Sequence, residues 1–191
     1  MKKLNYGNIF NKDTLNIFTD ASIKPNPDKT YTGCPGCICV TTNNNHNEII
    51  DISYNIEYNS TNNNSELKAI LQGVMKALCH RNNFKIINLF SDSIISVRGI
   101  REWVFNWHNT IDNEGNMYNS SGNLVANIEV IKAIVHHILA GNLYINIYHQ
   151  KGHVDNSNKY DKALITFIKS NNVEVDICTI IDQTWRQVDL L

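Results

Sequence analysis

Apolar positions along the chain switch between two periods, and the order of the switches predicts a mixed α/β domain. Residues 15–18 form a short apolar run that ends in the polar Thr19-Asp20-Ala21-Ser22, which reads as a strand. Residues 23–32 contain Lys-Pro-Asn-Pro-Asp and predict a loop. Residues 36–40 read as a second strand. After an Asn-rich turn at 43–47, residues 49–58 read as a third. Three strands in succession with short connections predict an antiparallel meander.

The pattern then becomes helical. Residues 60–64 read as a polar loop, and Ser65-Glu66-Leu67 opens a helix with Leu67, Ile70, Leu71, Val74 and Leu78 on one side. A buried strand is expected at 86–90, closed by Ser91-Asp92-Ser93. A single helix comes next, with Ile94, Val97, Ile100, Trp103 and Trp107 on its apolar side. Residues 108–123 read as a loop, 124–139 as an amphipathic helix, 143–148 as a strand, 150–158 as a loop and 160–168 as a helix. Residues 170–191 allow one more strand and a short helix. The order βββαβααβα implies an α/β (α+β mixed) fold: a five-stranded mixed sheet with helices on both faces.

Composition narrows the classes. Hydrophobic residues make up 42% of the 191, enough for a core. Much of the polar balance is Asn, of which there are thirty. The net charge of −1 excludes a nucleic-acid binder that works through global charge. A local basic centre remains, with Lys68, Lys76, Arg81, Lys85, Arg98 and Arg101 against Glu66, Asp92 and Glu102. No signal peptide or membrane-length apolar run is apparent, so an intracellular, cytoplasmic location is expected. The five cysteines suggest no disulfide framework. Cys34-Pro35-Gly36-Cys37 runs on into a strand and has no second ligand pair, so these read as reduced thiols rather than a zinc or redox site.

Four acidic residues stand at element ends: Asp20 after the first strand, Glu66 in the first turn of the first helix, Asp92 after the fourth strand and Asp161 at the start of a late helix. Alone, Asp92 suits a helix cap and Glu66 suits a helix dipole. Together they suggest more. If the first and fourth strands pair, the ends carrying Asp20 and Asp92 become adjacent. Gathering like charges is costly unless a cation sits among them. Mg²⁺ accepts such an oxygen donor set, and two divalent ions are the usual device for in-line attack on a phosphodiester.

At this point the chain resembles type 1 ribonuclease H over residues 15–168. The resemblance rests on Thr19-Asp20-Ala21-Ser22, Asn26-Pro27, Thr61-Asn62-Asn63-Asn64-Ser65-Glu66-Leu67, Ser91-Asp92-Ser93, Arg98-Gly99-Ile100 through Trp103 and Trp107, Lys151-Gly152-His153 and Asp161-Lys162-Ala163-Leu164. It implies an RNase H-like fold, with an N-terminal segment 1–14, a catalytic domain 15–169 and a C-terminal extension 170–191. It implies an endoribonuclease that hydrolyses the RNA strand of an RNA–DNA hybrid and leaves 5′-phosphate and 3′-hydroxyl ends. Asp20, Glu66, Asp92 and Asp161 would hold two Mg²⁺, with Mn²⁺ as a substitute. His153 would move protons or help product leave. Asn26, Asn62 and Asn63 would contact the hybrid, Thr61 and Asn127 would hold a DNA phosphate, and Trp103 would pack on a DNA sugar. His136, His137 and His149 read as residues without a partner. A monomer with no protein partner and no membrane association is expected.

The chain also departs from that pattern. The segment between His153 and Asp161 is short and ends Ser-Asn-Lys-Tyr-Asp, and residues 108–127 lack the Lys and Arg of the basic protrusion found in many bacterial members. Competing readings are a non-cleaving binding module of the same fold, an RNase H-like nuclease with another nucleic-acid substrate, and a piece of a reverse transcriptase polyprotein. The four carboxylates speak against the first. The amide set speaks against the second. A chain that begins at Met and runs past the domain speaks against the third.

Overall fold

Strand β1 (Thr14–Pro25) is the central member of the sheet, and its first eight residues are all buried. The computed structural model describes residues 12–43 and 46–150, and the architecture is that of those residues. Strand β2 (Tyr31–Asn43) pairs antiparallel with β1, and β3 (His46–Tyr54) pairs antiparallel with β2. A two-residue strand, β4 (Glu57–Tyr58), also pairs with β2. On the other side of β1, β5 (Ile86–Ser91) and β6 (Asn146–His149) add in parallel. The order is β3-β2-β1-β5-β6, a mixed sheet with the meander on one side and the parallel strands on the other.

The third strand expected over 49–58 is two strands. Cys39 pairs with Asp51 while Val40 pairs with Ile49, so Ile50 is an extra residue in a bulge. Such a bulge bends the edge strand and raises its twist. Asn55 and Ile56 then leave the ladder before β4 resumes pairing with Thr32 and Gly33.

Helix α1 (Asn62–His80) starts earlier than its apolar pattern suggests, because Thr61 caps it by accepting from the N–H of Asn64 at 3.3 Å. Glu66 is therefore the fifth helical residue and not a first-turn residue. The Trp-bearing segment is not one regular helix. It comprises α2 (Ile94–Arg98), a π-helical segment (Gly99–Trp103) and α3 (Val104–His108). The wider π turn shifts the helical phase of α3 relative to α2. Val104 becomes core, while Ile94, at the start, is exposed. The helix expected over 124–139 is α4 (Ile128–Ala140): Leu124 sits in an isolated bridge with Tyr118, and Asn127 takes a left-handed conformation at the cap.

All these helices pack on one face. Leu15, Ile17, Cys37, Cys39, Ile87 and Leu89 of the sheet meet Leu67, Ile70 and Val74 of α1, Val97 and Ile100 of the Trp segment, and Ile131 and Ile134 of α4. Each of the Leu, Ile and Val side chains among these, fully buried, contributes about 1.5–3 kcal/mol. Gly73 sets the approach of α1, since a Cβ there would lie 2.8 Å from side-chain atoms of both Leu89 and Thr19. The opposite face carries two ladders across β1, β5 and β6. Phe18, Phe90 and Tyr148 stack, with centroids 5.0 and 5.5 Å apart. Two residues back along each strand, Asn88 donates to Asn16 at 3.0 Å and Asn146 donates to Asn88 at 3.1 Å. The helix expected over 160–168 lies outside the described residues. No helix among the described residues is long and apolar enough to cross a membrane.

Candidate active site

The parallel pairing of β1 with β5 ends at Thr19 opposite Ser91. Asp20 and Asp92 are the next residue on each strand. Parallel neighbours stand about 4.8 Å apart, so the topology alone sets two carboxylates side by side. Asp20 stays within β1, opposite Gly36 of β2. Its Oδ1 accepts from the N–H of Ala21 at 2.8 Å. Asp92 is not the cap of α2. That position belongs to Ser93, whose Oγ accepts from the N–H of Ser96. The capping role that Asp92 would suit is thus taken by its neighbour.

Glu66 reaches the same place from α1. The start of that helix is seated against β2 at Gly33, where a Cβ would come within 2.2 Å of Ser65 Oγ. Ser65 Oγ in turn shares a 2.7 Å hydrogen bond with Ser60 Oγ. Glycine at 33 therefore lets the helix close on the strand, and Glu66 is the next residue along the helix. One carboxylate oxygen from each of Asp20, Glu66 and Asp92 lies within 4.8 Å of the other two. Asp20 and Glu66 are both 6% exposed, and Asp92 is half-buried. Three carboxylates so close, two of them buried, repel one another strongly, and a divalent cation is the natural countercharge. The donor set is all oxygen, which suits hard ions such as Mg²⁺ or Mn²⁺. His153 and Asp161 lie outside the described residues.

The other expected contacts fall into distinct places. Asn26 lies in the β1–β2 turn and is held there: its Nδ2 donates to Thr30 Oγ1 at 2.9 Å, and its Oδ1 accepts from Thr32 Oγ1 at 3.1 Å. Thr61 is the N-cap of α1, with Asn62 and Asn63 exposed in its first turn. Asn127 is drawn to this group through Asn64, and Thr61, Asn64 and Asn127 form one polar cluster. Trp103 is half-buried and tilted against Trp107, centroids 5.9 Å apart.

One residue near the site has a role that its sequence context did not signal. His149, expected to have no partner, places Nε2 3.1 Å from the backbone oxygen of Asp92. Its only sequence signal is a position just past the strand expected over 143–148. Three of the six cations of the basic centre are paired with carboxylates. Lys68 pairs with Glu57 at 2.7 Å, Lys76 with Asp51 at 2.8 Å and Lys85 with Asp13 at 2.9 Å. Arg81 and Arg101 donate to the backbone oxygens of Gly141 and Ile147. Cys34, Cys37 and Cys39 form no disulfide, and Cys37 and Cys39 are buried.

Comparison with known proteins agrees with this geometry. Residues 12–174 match the model of the RNase H family. Ribonuclease HI of Haemophilus ducreyi is 33% identical over 96 residues, or 49% of this chain and 54% of that protein. This chain thus spans about half the length of that relative. Ribonuclease H of Thermoanaerobacter pseudethanolicus is 29% identical over 166 residues, 84% of this chain and 94% of that protein. The solution structure of the PFV RNase H domain has the same fold, with a TM-score of 0.59 at 18% identity over 81% of this chain and 90% of that one.

Proposed function

Because the chain belongs to the RNase H family, we propose that it is an endoribonuclease that hydrolyses the RNA strand of an RNA–DNA hybrid and leaves 5′-phosphate and 3′-hydroxyl ends. The observation that carries this reading is the convergence of Asp20, Glu66 and Asp92 within 4.8 Å at the end of the central parallel pair. Asp161 would complete the set from the segment after β6. These carboxylates fit two Mg²⁺, or Mn²⁺ in their place. Bound there, the ions supply Lewis acidity toward the phosphodiester and make water a better nucleophile.

The chain's own residues do the rest. Asp20, Glu66 and Asp92 fix the position of positive charge relative to the scissile phosphate. Thr61 and Asn127 bind a phosphate of the DNA strand and so orient the hybrid. Asn62 and Asn63, exposed at the start of α1, offer amide donors and acceptors to the 2′-hydroxyls that distinguish RNA from DNA. Asn26 contributes through the turn it organises, and Trp103 packs on a DNA sugar. His153 carries a proton to or from the reacting oxygens. Residues 15–169 form the catalytic domain, acting as an intracellular monomer, with 1–14 and 170–191 as flanking segments.

The test is cleavage of a labelled RNA–DNA hybrid, single-stranded RNA and double-stranded DNA, each with Mg²⁺ and with EDTA. Cutting of RNA in the hybrid alone, abolished by EDTA, is expected. Cutting of double-stranded DNA would instead favour a nuclease with another substrate. Binding of the hybrid with no cutting under any metal would favour a non-cleaving module.

A further inference from the structure

His149 ends β6 opposite Ser91 in the parallel register. Its Nε2 stands 3.1 Å from the carbonyl oxygen of Asp92. A carbonyl only accepts, so Nε2 carries the proton and donates. The other end of the same peptide unit is also held. The N–H of Ser93 donates to Ser91 Oγ at 3.2 Å. The Asp92–Ser93 peptide plane is therefore gripped by a side chain at each polar end.

The setting explains why such a grip matters. The backbone ladder runs out here: Gln150 N–H donates to Ser91 O at 3.0 Å, and the next carbonyl along the chain receives an imidazole. Asp92 sits at the exit of the strand, less buried than Asp20 and Glu66. Repulsion from those two carboxylates favours any movement that swings it toward solvent. A peptide unit is planar, so fixing this plane restricts ψ of Asp92 and the direction in which its carboxylate leaves the chain.

We infer that His149 is a positioning residue for the candidate metal centre, holding Asp92 in place through the backbone and not as a ligand. The inference rests on the reading of the three carboxylates as metal ligands. An outer partner of this kind typically changes metal affinity or activity by about 10- to 100-fold when lost.

The experiment is Mn²⁺ binding to the whole chain by titration calorimetry, with kcat and KM measured on hybrid. His149→Phe keeps a ring and loses the donor. His149→Gln restores an N–H at a similar reach. Ser91→Ala removes the other half of the grip. The Phe variant is expected to bind Mn²⁺ roughly 10-fold more weakly and to lose kcat with KM for hybrid unchanged. Ser91→Ala should shift in the same direction, and the Gln variant should return close to wild type. Equal Mn²⁺ affinity in wild type and the Phe variant overturns the inference. So does a Gln variant as impaired as Phe, which would assign the effect to ring packing. If the Phe variant does not fold, wild-type affinity in Ser91→Ala overturns it instead. Failure of wild type itself to bind Mn²⁺ removes the metal reading, and is seen before any substitution is compared.

Discussion

Asn64 Nδ2 donates to Asn127 Oδ1 at 3.0 Å, joining the first turn of α1 to the residue just before α4. Asn127 has φ 57° and ψ 24°, a left-handed backbone that Asn and Gly tolerate better than other residues. Two substitutions separate backbone from amide. Asn127→Gly keeps the conformation and loses the side chain. Asn127→Ala also adds strain of about 1–2 kcal/mol. Both should weaken hybrid binding in an Asp92→Asn background, and the Ala variant should melt lower than the Gly variant. Unaltered binding by the Gly variant would leave Asn127 as a structural tie only.

Neutralising one carboxylate should have opposite effects on activity and stability. Asp92→Asn is expected to lower hybrid cleavage by several orders of magnitude. In EDTA the same variant should melt above wild type, because one of three crowded charges is gone. A relief on the order of 1 kcal/mol raises Tm by roughly 2–4 °C for a chain of this size. Saturating Mg²⁺ should reverse the order, since the ion stabilises only the protein that binds it. Melting curves of both proteins in EDTA and in Mg²⁺ check this, and parallel shifts under the two conditions would contradict it.

The salt dependence of hybrid binding should be shallow. Three of the central lysines are already paired with carboxylates, and residues 108–127 carry no Lys or Arg. A log–log slope corresponding to roughly two to four phosphate contacts is expected. Lysines introduced at the exposed Asn113, Ser120 and Asn123 should steepen it. Titration of the Asp92→Asn protein over a range of salt measures the slope. A value equivalent to six or more contacts would reveal a basic surface not accounted for.

Asp112 organises the 109–127 loop. The side chain and N–H of Asn116 do most to hold its carboxylate down to about 2 from the ordinary 3.8, helped by the Tyr118 hydroxyl and the N–H of Glu114. The folded value lies below the unfolded one. The loop's stabilisation is therefore complete above pH 3.8 and fades as pH falls through about 2. A carboxyl-carbon NMR titration should place the Asp112 midpoint near 2, and a midpoint at the ordinary value would show that the loop does not hold this geometry in solution.

Much of the fold and of the site was legible in the chain, and the reasons for the rest are physical. Leu67, Ile70 and Val74 announced α1 because a buried helical stripe has a fixed period. Its start was hidden because Asn62-Asn63-Asn64 are poor helix formers, and only the cap at Thr61 makes them helical. The apolar run from Ile94 to Trp107 gave the right extent and the wrong regularity, since a π turn changes phase without changing composition. The adjacency of Asp20 and Asp92 came from strand order. The bond from His149 to Asp92 did not, because it joins residues 57 apart in sequence, where local pattern carries no information.

The paired ladders on the second face also proofread strand alignment. A slip of one residue turns every side chain to the wrong face, which the apolar core already forbids. A slip of two keeps the faces and would escape that check, except that amide and aromatic alternate at this interval: Asn16 with Phe18, Asn88 with Phe90, Asn146 with Tyr148. Such a slip would set an amide against an aromatic ring and break both ladders. It would also carry Asp92 about 6.6 Å along the strand axis relative to Asp20, farther than the 4.8 Å that now encloses the three carboxylates. Six side chains outside the carboxylate cluster thus disfavour a slip that would keep the faces of the sheet and still put its carboxylates out of reach of one another.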